Sequence, residues 1–248
     1  MPEINERVES IFSHAVALQQ DGRFRSTIYC QKRVVYILNQ DFTVLLRFPL
    51  RDREVEFEHA ISFRANDYDS RQFSEHDGKI LFESENPEYK KTKACCVPSE
   101  SKQDVRDIWE KAPKEEVNRV TLTSSIFSLM EMDLSHVEMS AKDGVFHAVQ
   151  RNIFDGSVID IQKKKAKGLL ASTDELTDFG PMAVRTNDFQ ALFAFAGVID
   201  FYFAGTGYVF FRSADPNWKF EGVISQCLYE EMKGTEDGRE KPKKRGCK

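Results

Sequence analysis

Residues Thr186–Ser225 read "TNDFQALFAFAGVIDFYFAGTGYVFFRSADPNWKFEGVIS". Thr186 or Asn187 offers a helix cap, and Asp188 suits the positive end of a helix dipole. Phe189, Leu192, Phe193 and Ala196 recur at helical spacing until Gly197 stops the pattern. Short alternating segments follow, two of them joined by "AGTG" at Ala204–Gly207. The stretch predicts one short amphipathic helix and a three-stranded meander. "AGTG" lacks the G-x-G-x-x-G spacing and lies between two strands, so it is a hairpin turn and not a dinucleotide loop.

The same plan occurs upstream. "RVTLTSSIFSLMEMDLSHVEMSAKDGVFHAVQ", starting at Arg119, again runs strand, polar cap at Ser124 or Ser125, a short helix with Ile126, Phe127 and Met130 on one side, then strand, turn and strand. Each unit leaves an apolar helix stripe and an apolar sheet face uncovered, so neither buries its core alone and the helices must stack on a shared sheet. The N-terminal portion repeats the plan once, with a helix over 5–18 carrying Val8, Ile11, Phe12, Ala15 and Val16, and strands near 24–30, 34–39 and 42–48. A further copy over 54–97 keeps its strands, but "RANDYDSRQF" makes a poor helix. Asp-Gly pairs at Asp21, Asp77, Asp143 and Asp155 mark hairpins, since both residues tolerate the positive φ of a type I′ turn.

Between the halves lies "VPSESKQDVRDIWEKAPKEEVN", a polar connector bounded by Pro98 and Pro113. The expected organisation is a domain over 1–97, a connector over 98–119, a second domain over 120–231 and a basic tail over 232–248. The class is α+β, built of antiparallel meanders with short helices.

Composition narrows the function classes. The chain has 248 residues, 41% hydrophobic and 30% charged, with no apolar run long enough for a membrane span, and its polar, acidic start is unlike a secretory signal. An intracellular protein is expected. The five cysteines include the adjacent Cys95 and Cys96, poor geometry for a mutual disulfide, so free thiols are expected. The five histidines (His14, His59, His76, His136, His147) lack metal-ligand spacing, and no cofactor is expected. "SESK" at Ser99–Lys102 spells a serine nucleophile with a lysine base, but a polar connector would not desolvate the lysine. No enzyme is expected. Phe201, Phe203, Phe210, Phe211 and Phe220 lie on alternating strands and read as core rather than as base-stacking groups.

A net charge of -5 argues against coating nucleic acid through bulk positive charge, although "KKKAK" at Lys163–Lys167 and "KPKKRGCK" at Lys241–Lys248 are locally basic. The tail has the density of a nuclear-import address or a weak anion-binding arm.

Two halves, each ideally two copies of strand, helix and meander, resemble the DNA sliding clamps. The closing segment from Met182 to Cys227, with its F-x-x-L-x-x-F-A helix before the meander, looks like the Rad-nine type subunit of the heterotrimeric checkpoint clamp. It is also similar to T-even-type phage processivity clamps and to proliferating cell nuclear antigen. The resemblance implies a sliding-clamp fold whose short helices line a pore around double-stranded DNA, without sequence specificity. It implies a trimeric ring with two other clamp subunits or with copies of itself, an ATP-driven clamp loader, and tethering of polymerase or repair proteins through short hydrophobic motifs. A nuclear, DNA-damage or replication role follows from the same resemblance. The expected DNA-facing residues are Arg7, Arg64, Arg71, Lys142 and Arg185; the expected partner-docking surface lies near Val97, Pro98, Ile108 and Trp109. Neither the helix near Ser124 nor that over 187–196 brings a basic residue.

Overall fold

The computed structural model describes residues 6–20, 24–51, 57–65, 72–76, 79–83, 93–96, 101–130, 134–151, 158–160, 169–170, 176–205, 207–216 and 218–227. The first half runs α1 (Glu6–Gln20), β1 (Ser26–Lys32), β2 (Val34–Asn39), β3 (Val44–Pro49), β4 (Phe57–Arg64), β5 (Gln72–His76), β6 (Lys79–Glu83) and β7 (Lys93–Cys96). Helix α2 (Ser101–Lys111) follows. The second half runs β8 (Arg119–Thr123), a 3-10 segment (Ser124–Leu129), β9 (His136–Lys142), β10 (Val145–Arg151), β11 (Val158–Asp160), β12 (Leu169–Leu170), β13 (Phe179–Arg185), α3 (Thr186–Phe193), β14 (Val198–Tyr202), β15 (Tyr208–Ser213) and β16 (Glu221–Ser225).

A nine-stranded sheet, in the order β12-β8-β14-β15-β16-β3-β2-β1-β4, draws on strands from both sides of α2. The halves meet at β16 and β3, where Gly222 pairs with Leu46 and Val223 with Leu45. Smaller sheets run β11-β10-β9-β13 and β5-β6-β7.

Register explains why one sheet holds two different faces. On one face a single cross-strand row runs Phe63, Ile28, Ile37, Leu46, Gly222, Phe211, Phe201, Val120. Seven of these are core residues, and α1 and α3 cover the face with Val8, Ile11, Phe12, Phe189 and Leu192, each fully buried. Burying each large side chain contributes about 1.5–3 kcal/mol, so this layer dominates stability. Gly222 is required at its place: a Cβ there would stand 2.4 Å from the Leu45 carbonyl oxygen and 2.4 Å from the Phe211 ring, which folds across the glycine.

Because side chains alternate, the neighbouring row, Arg64, Thr27, Leu38, Leu45, Val223, Phe210, Tyr202, Arg119, faces the other way. Its middle is covered by α2: Val105, Ile108 and Trp109, with Ala112 just past the helix end, fall at i, i+3, i+4 and i+7 and pack with Tyr36, Leu38, Leu45, Phe210 and Val223. The polar connector therefore contains an amphipathic helix that its overall polarity conceals. Ser101 and Lys102 of "SESK" form its first turn.

Other expectations are met or corrected residue by residue. The five phenylalanines expected in the core are all buried, though Phe210 belongs to the α2 side. Asp143 and Gly144 take φ of 52° and 73°, as a type I′ hairpin requires, and Gly205 and Gly207 take positive φ in the turn before β15. The Asp-Gly pairs at Asp21, Asp77 and Asp155 lie outside the described residues, as do Arg71, Val97, Pro98, "KKKAK" and the basic tail. Cys30 and Cys227 are thiols outside any disulfide.

The helix expected at Ser124 is 3-10, since six residues give too few hydrogen bonds to offset α-helix nucleation. Helix α1 runs on to Gln20. Helix α3 starts after Arg185 with no side-chain cap and ends before Ala194, a right-handed residue, so Gly197 is not its stop. The Thr186 hydroxyl instead donates to the Leu134 carbonyl, 2.6 Å away. Asp188, expected to serve the dipole, is buried and joins the two halves.

Candidate nucleic-acid and partner surfaces

The turn between β2 and β3 is where the first half meets α3. Asn39 organises it: its side-chain oxygen accepts the backbone N–H of Thr43 and of Val44, both at 2.8 Å. Its amide nitrogen donates to Thr43 Oγ1 at 2.7 Å and to Asp188 Oδ1 at 3.3 Å, and the Thr43 hydroxyl donates to Asp188 Oδ2 at 2.6 Å. Gln40 N–H donates to the Arg25 carbonyl at 2.7 Å. Beside this core, Arg185 pairs with Asp41 at 2.6 Å. Burial pushes the Asp188 carboxyl above the ordinary aspartate range, while the bonds from Thr43 and Asn39 and the nearby Arg185 pull it back. A polar link of this kind stabilises one docking geometry between α3 and the turn, because breaking it strands a buried carboxylate.

The same turn holds Phe42 at φ 58° with 65% of its surface exposed. A bulky residue in the left-handed region costs about 1–3 kcal/mol and persists only where its surroundings over-determine it. Clefts of about 450 and 770 Å³ open on either side of the turn: the first is lined by Arg25, Asp41, Asn187 and Asp188, the second by Gln19, Arg25, Ser26, Thr27, Phe42 and Arg64.

The expected DNA-facing residues are placed on different faces. Arg7 lies on α1, half-buried, and donates to the Lys219 carbonyl at 2.8 Å. Arg185 immediately precedes α3 and is committed to Asp41. Arg64 sits opposite Thr27 on the α2 side of the sheet. Lys142 is exposed at the end of β9, beside the Asp143-Gly144 hairpin. Among the described side chains, the exposed positions on α1, the 3-10 segment and α3 are Glu6, Ser13, Ala17, Gln20, Ser124, Ser125 and Asn187, a set with one acidic and no basic side chain.

On the α2 side, Ile108 and Trp109 are half-buried against the sheet. The Trp109 ring lies 6.4 Å from Phe210, with the Arg47 guanidinium 5.4 Å and the Lys114 ammonium 4.7 Å from its centre. Under it runs a row of alternating charge: Arg47 pairs with Glu221, Arg212 with Glu221 and with Glu116 at 2.5 Å, and Arg119 with Asp200 at 3.2 Å. Trp109 thus anchors α2 to the sheet. On the four-stranded sheet Arg151 grips the buried Glu138 through two nitrogens, at 2.7 and 3.2 Å. Next to it, burial holds the His136 imidazole below the ordinary histidine range, an effect Arg185 adds to.

Sequence reasoning missed Asn39, Thr43 and Arg25 altogether. One signal was visible: "NQDF" at Asn39–Phe42 puts a phenylalanine where a turn between strands normally carries Gly or a polar residue.

No family model matches the chain, and no curated protein matches it in sequence. Solved structures do match in shape. The DNA polymerase III beta chain of Streptococcus pneumoniae superposes with a TM-score of 0.55 at 14% identity, covering 89% of this chain and 63% of that one. The PCNA2–PCNA3 complex of Sulfolobus tokodaii gives 0.55 at 10% identity over 87% of this chain and 96% of that one. Proliferating cellular nuclear antigen of Entamoeba histolytica gives 0.51 at 10% identity over 89% and 96%. The chain spans under two thirds of the bacterial protein and nearly all of the other two. No helix among the described residues is long and apolar enough to cross a membrane. With its antiparallel sheets and few short helices, the chain has the sliding-clamp fold.

Proposed function

We propose that the chain is a subunit of a ring-shaped clamp that encircles double-stranded DNA without reading its sequence and tethers other proteins to it, with no catalysis of its own. The observation that carries this is the fold, shared at these TM-scores with a polymerase III beta chain and two nuclear antigens. The near-complete coverage of the antigen chains, against 63% of the bacterial one, supports a subunit of the size that closes a trimeric ring. Its clamp domains are 1–97 and 120–231, joined by the connector 98–119.

Helices α1 and α3 face the pore. Their bland outer surfaces suit a wall along which DNA slides, because attraction to phosphate comes from charged side chains and each contact adds grip. The proposed phosphate contacts are Arg7, Arg71, Lys142 and Arg185, acting at a distance; Arg64, on the α2 side of the sheet, is not among them. Short hydrophobic motifs of polymerase or repair proteins dock beside α2, near Val97, Pro98, Ile108 and Trp109. The resemblance of the closing segment to the Rad-nine type subunit favours a heterotrimeric checkpoint ring in the nucleus, loaded by an ATP-driven loader.

Retention on circular primed DNA in the presence of a loader, lost when the circle is cut, is the expected result; failure to be retained overturns the ring. Mass in solution separates the ring types. A monomer awaiting partners supports the checkpoint ring, whereas a stable trimer of this chain alone makes it a homotrimeric replication clamp.

A further inference from the structure

The 770 Å³ cleft beside the β2–β3 turn combines features that encircling a duplex does not use. Phe42 presents its ring to solvent from a turn fixed by Asn39, Thr43 and the Gln40–Arg25 bond. Among the described residues no carboxylate lines this cleft, and neither Arg25 nor Arg64 makes an ion pair there. Two further lining groups are short of partners. Ser26, 5% exposed, has a buried hydroxyl with no hydrogen bond, and the buried Gln19 Oε1 has none either. Buried polar atoms are almost always paired, so these two point to a ligand that brings polar atoms of its own. Thr27 and Arg64 belong to the row on the α2 side, whereas Ser26 and Gln19 of α1 belong to the other, so the cleft opens around the end of β1 between the two faces.

We propose that this cleft binds an unpaired nucleotide of single-stranded DNA, with the base stacked on Phe42, its edge bonded to Gln19 and Ser26, and the flanking phosphates held by Arg25 and Arg64. A nucleotide unites in one unit what the cleft asks for: an anion for two guanidiniums that form no ion pair among the described residues, a flat π face for an exposed ring, and N–H donors on a rigid edge. An acidic peptide satisfies the guanidiniums but brings no such combination. The site goes beyond the duplex-encircling function and does not depend on ring closure.

The test is fluorescence anisotropy of a short labelled oligodeoxythymidine with the full chain and no loader. Saturable binding is expected. The Arg25→Ala/Arg64→Ala double variant should flatten the dependence of log affinity on log salt by about 1.4, two phosphate contacts at about 0.7 each on a single strand. Phe42→Asn, which keeps a residue tolerant of the left-handed backbone, should weaken binding by roughly tenfold or more through lost stacking. Both variants are checked for a thermal midpoint no lower than that of the wild type; Arg64→Lys, which keeps the charge, should retain most of the affinity.

Absence of binding overturns the proposal, as does equal affinity in correctly folded variants. So does preferential capture of an acidic aromatic peptide that the oligonucleotide fails to displace. Because the probe contains no duplex, loss of its binding with intact retention on circular DNA removes the cleft alone, and the converse removes the ring alone.

Discussion

The two faces of the nine-stranded sheet are made by the same strands, yet they are held down by different physics. Under α1 and α3 the row from Phe63 to Val120 is dry and apolar, with Phe201 and Phe211 centred 6.0 Å apart and Phe189 5.4 Å from Phe201. Under α2 the apolar row ends in Arg64 and Arg119 and runs beside a ladder of Arg and Glu. The first face is stabilised by volume filling, which tolerates neither gaps nor additions. The second is stabilised by partial burial, by cations stacked on Trp109 and by ion pairs in reach of water, each a smaller effect. A protein built this way has one face that defines the fold and another that can be altered without losing it.

Substitutions in order of expected effect test that contrast. Phe201→Ala, at a fully buried site, should cost about 3–5 kcal/mol in chemical denaturation through lost transfer energy and a residual cavity. Gly222→Ala adds one methyl group against the Leu45 carbonyl and the Phe211 ring and should cost about 1–3 kcal/mol, with lost dispersion of the Phe211 ring resonances in NMR. Trp109→Ala, on the other face, should cost about 1–2 kcal/mol and loosen α2 in hydrogen exchange while β14 to β16 stay protected. A loss at Trp109 as large as that at Phe201 would erase the distinction between the faces.

The smallest effect belongs to the seam. Burial raises the Asp188 pKa, so the folded state holds its proton to higher pH than the unfolded chain does. The stability this group contributes is full below the unfolded value of about 3.9 and is lost as pH rises through the raised folded value. Asp188→Asn removes that titration. The stability difference between wild type and variant should shrink from about pH 3 towards neutrality, and a difference that does not change with pH would place the carboxyl in water.

How much of this was legible follows the range of each interaction. Val8, Ile11, Phe12 and Ala15 announce α1 because a 3.6-residue repeat has one meaning wherever the helix docks. The Asp143-Gly144 hairpin is equally local. Helix α2 carries the same kind of repeat, but prolines and charges around it made the segment look like a bare connector. The bonds from Asn39 and Thr43 to Asp188 span 145–149 residues of chain, and no pattern in either segment names its partner. The same holds for Arg185 and Asp41, 144 residues apart.

By itself, then, the sequence determined which segments pair with water and which do not, where hairpins turn, and that helices and meanders must share a core. Those are short-range consequences of side-chain alternation and backbone sterics. Only the tertiary structure decided the register that sets Gly222 beneath Phe211, the landing of α2 on the far face, and the locked turn that holds Phe42 out beside Arg25 and Arg64. Each depends on contacts between residues far apart in the chain, whose free energy exists only once both partners are in place.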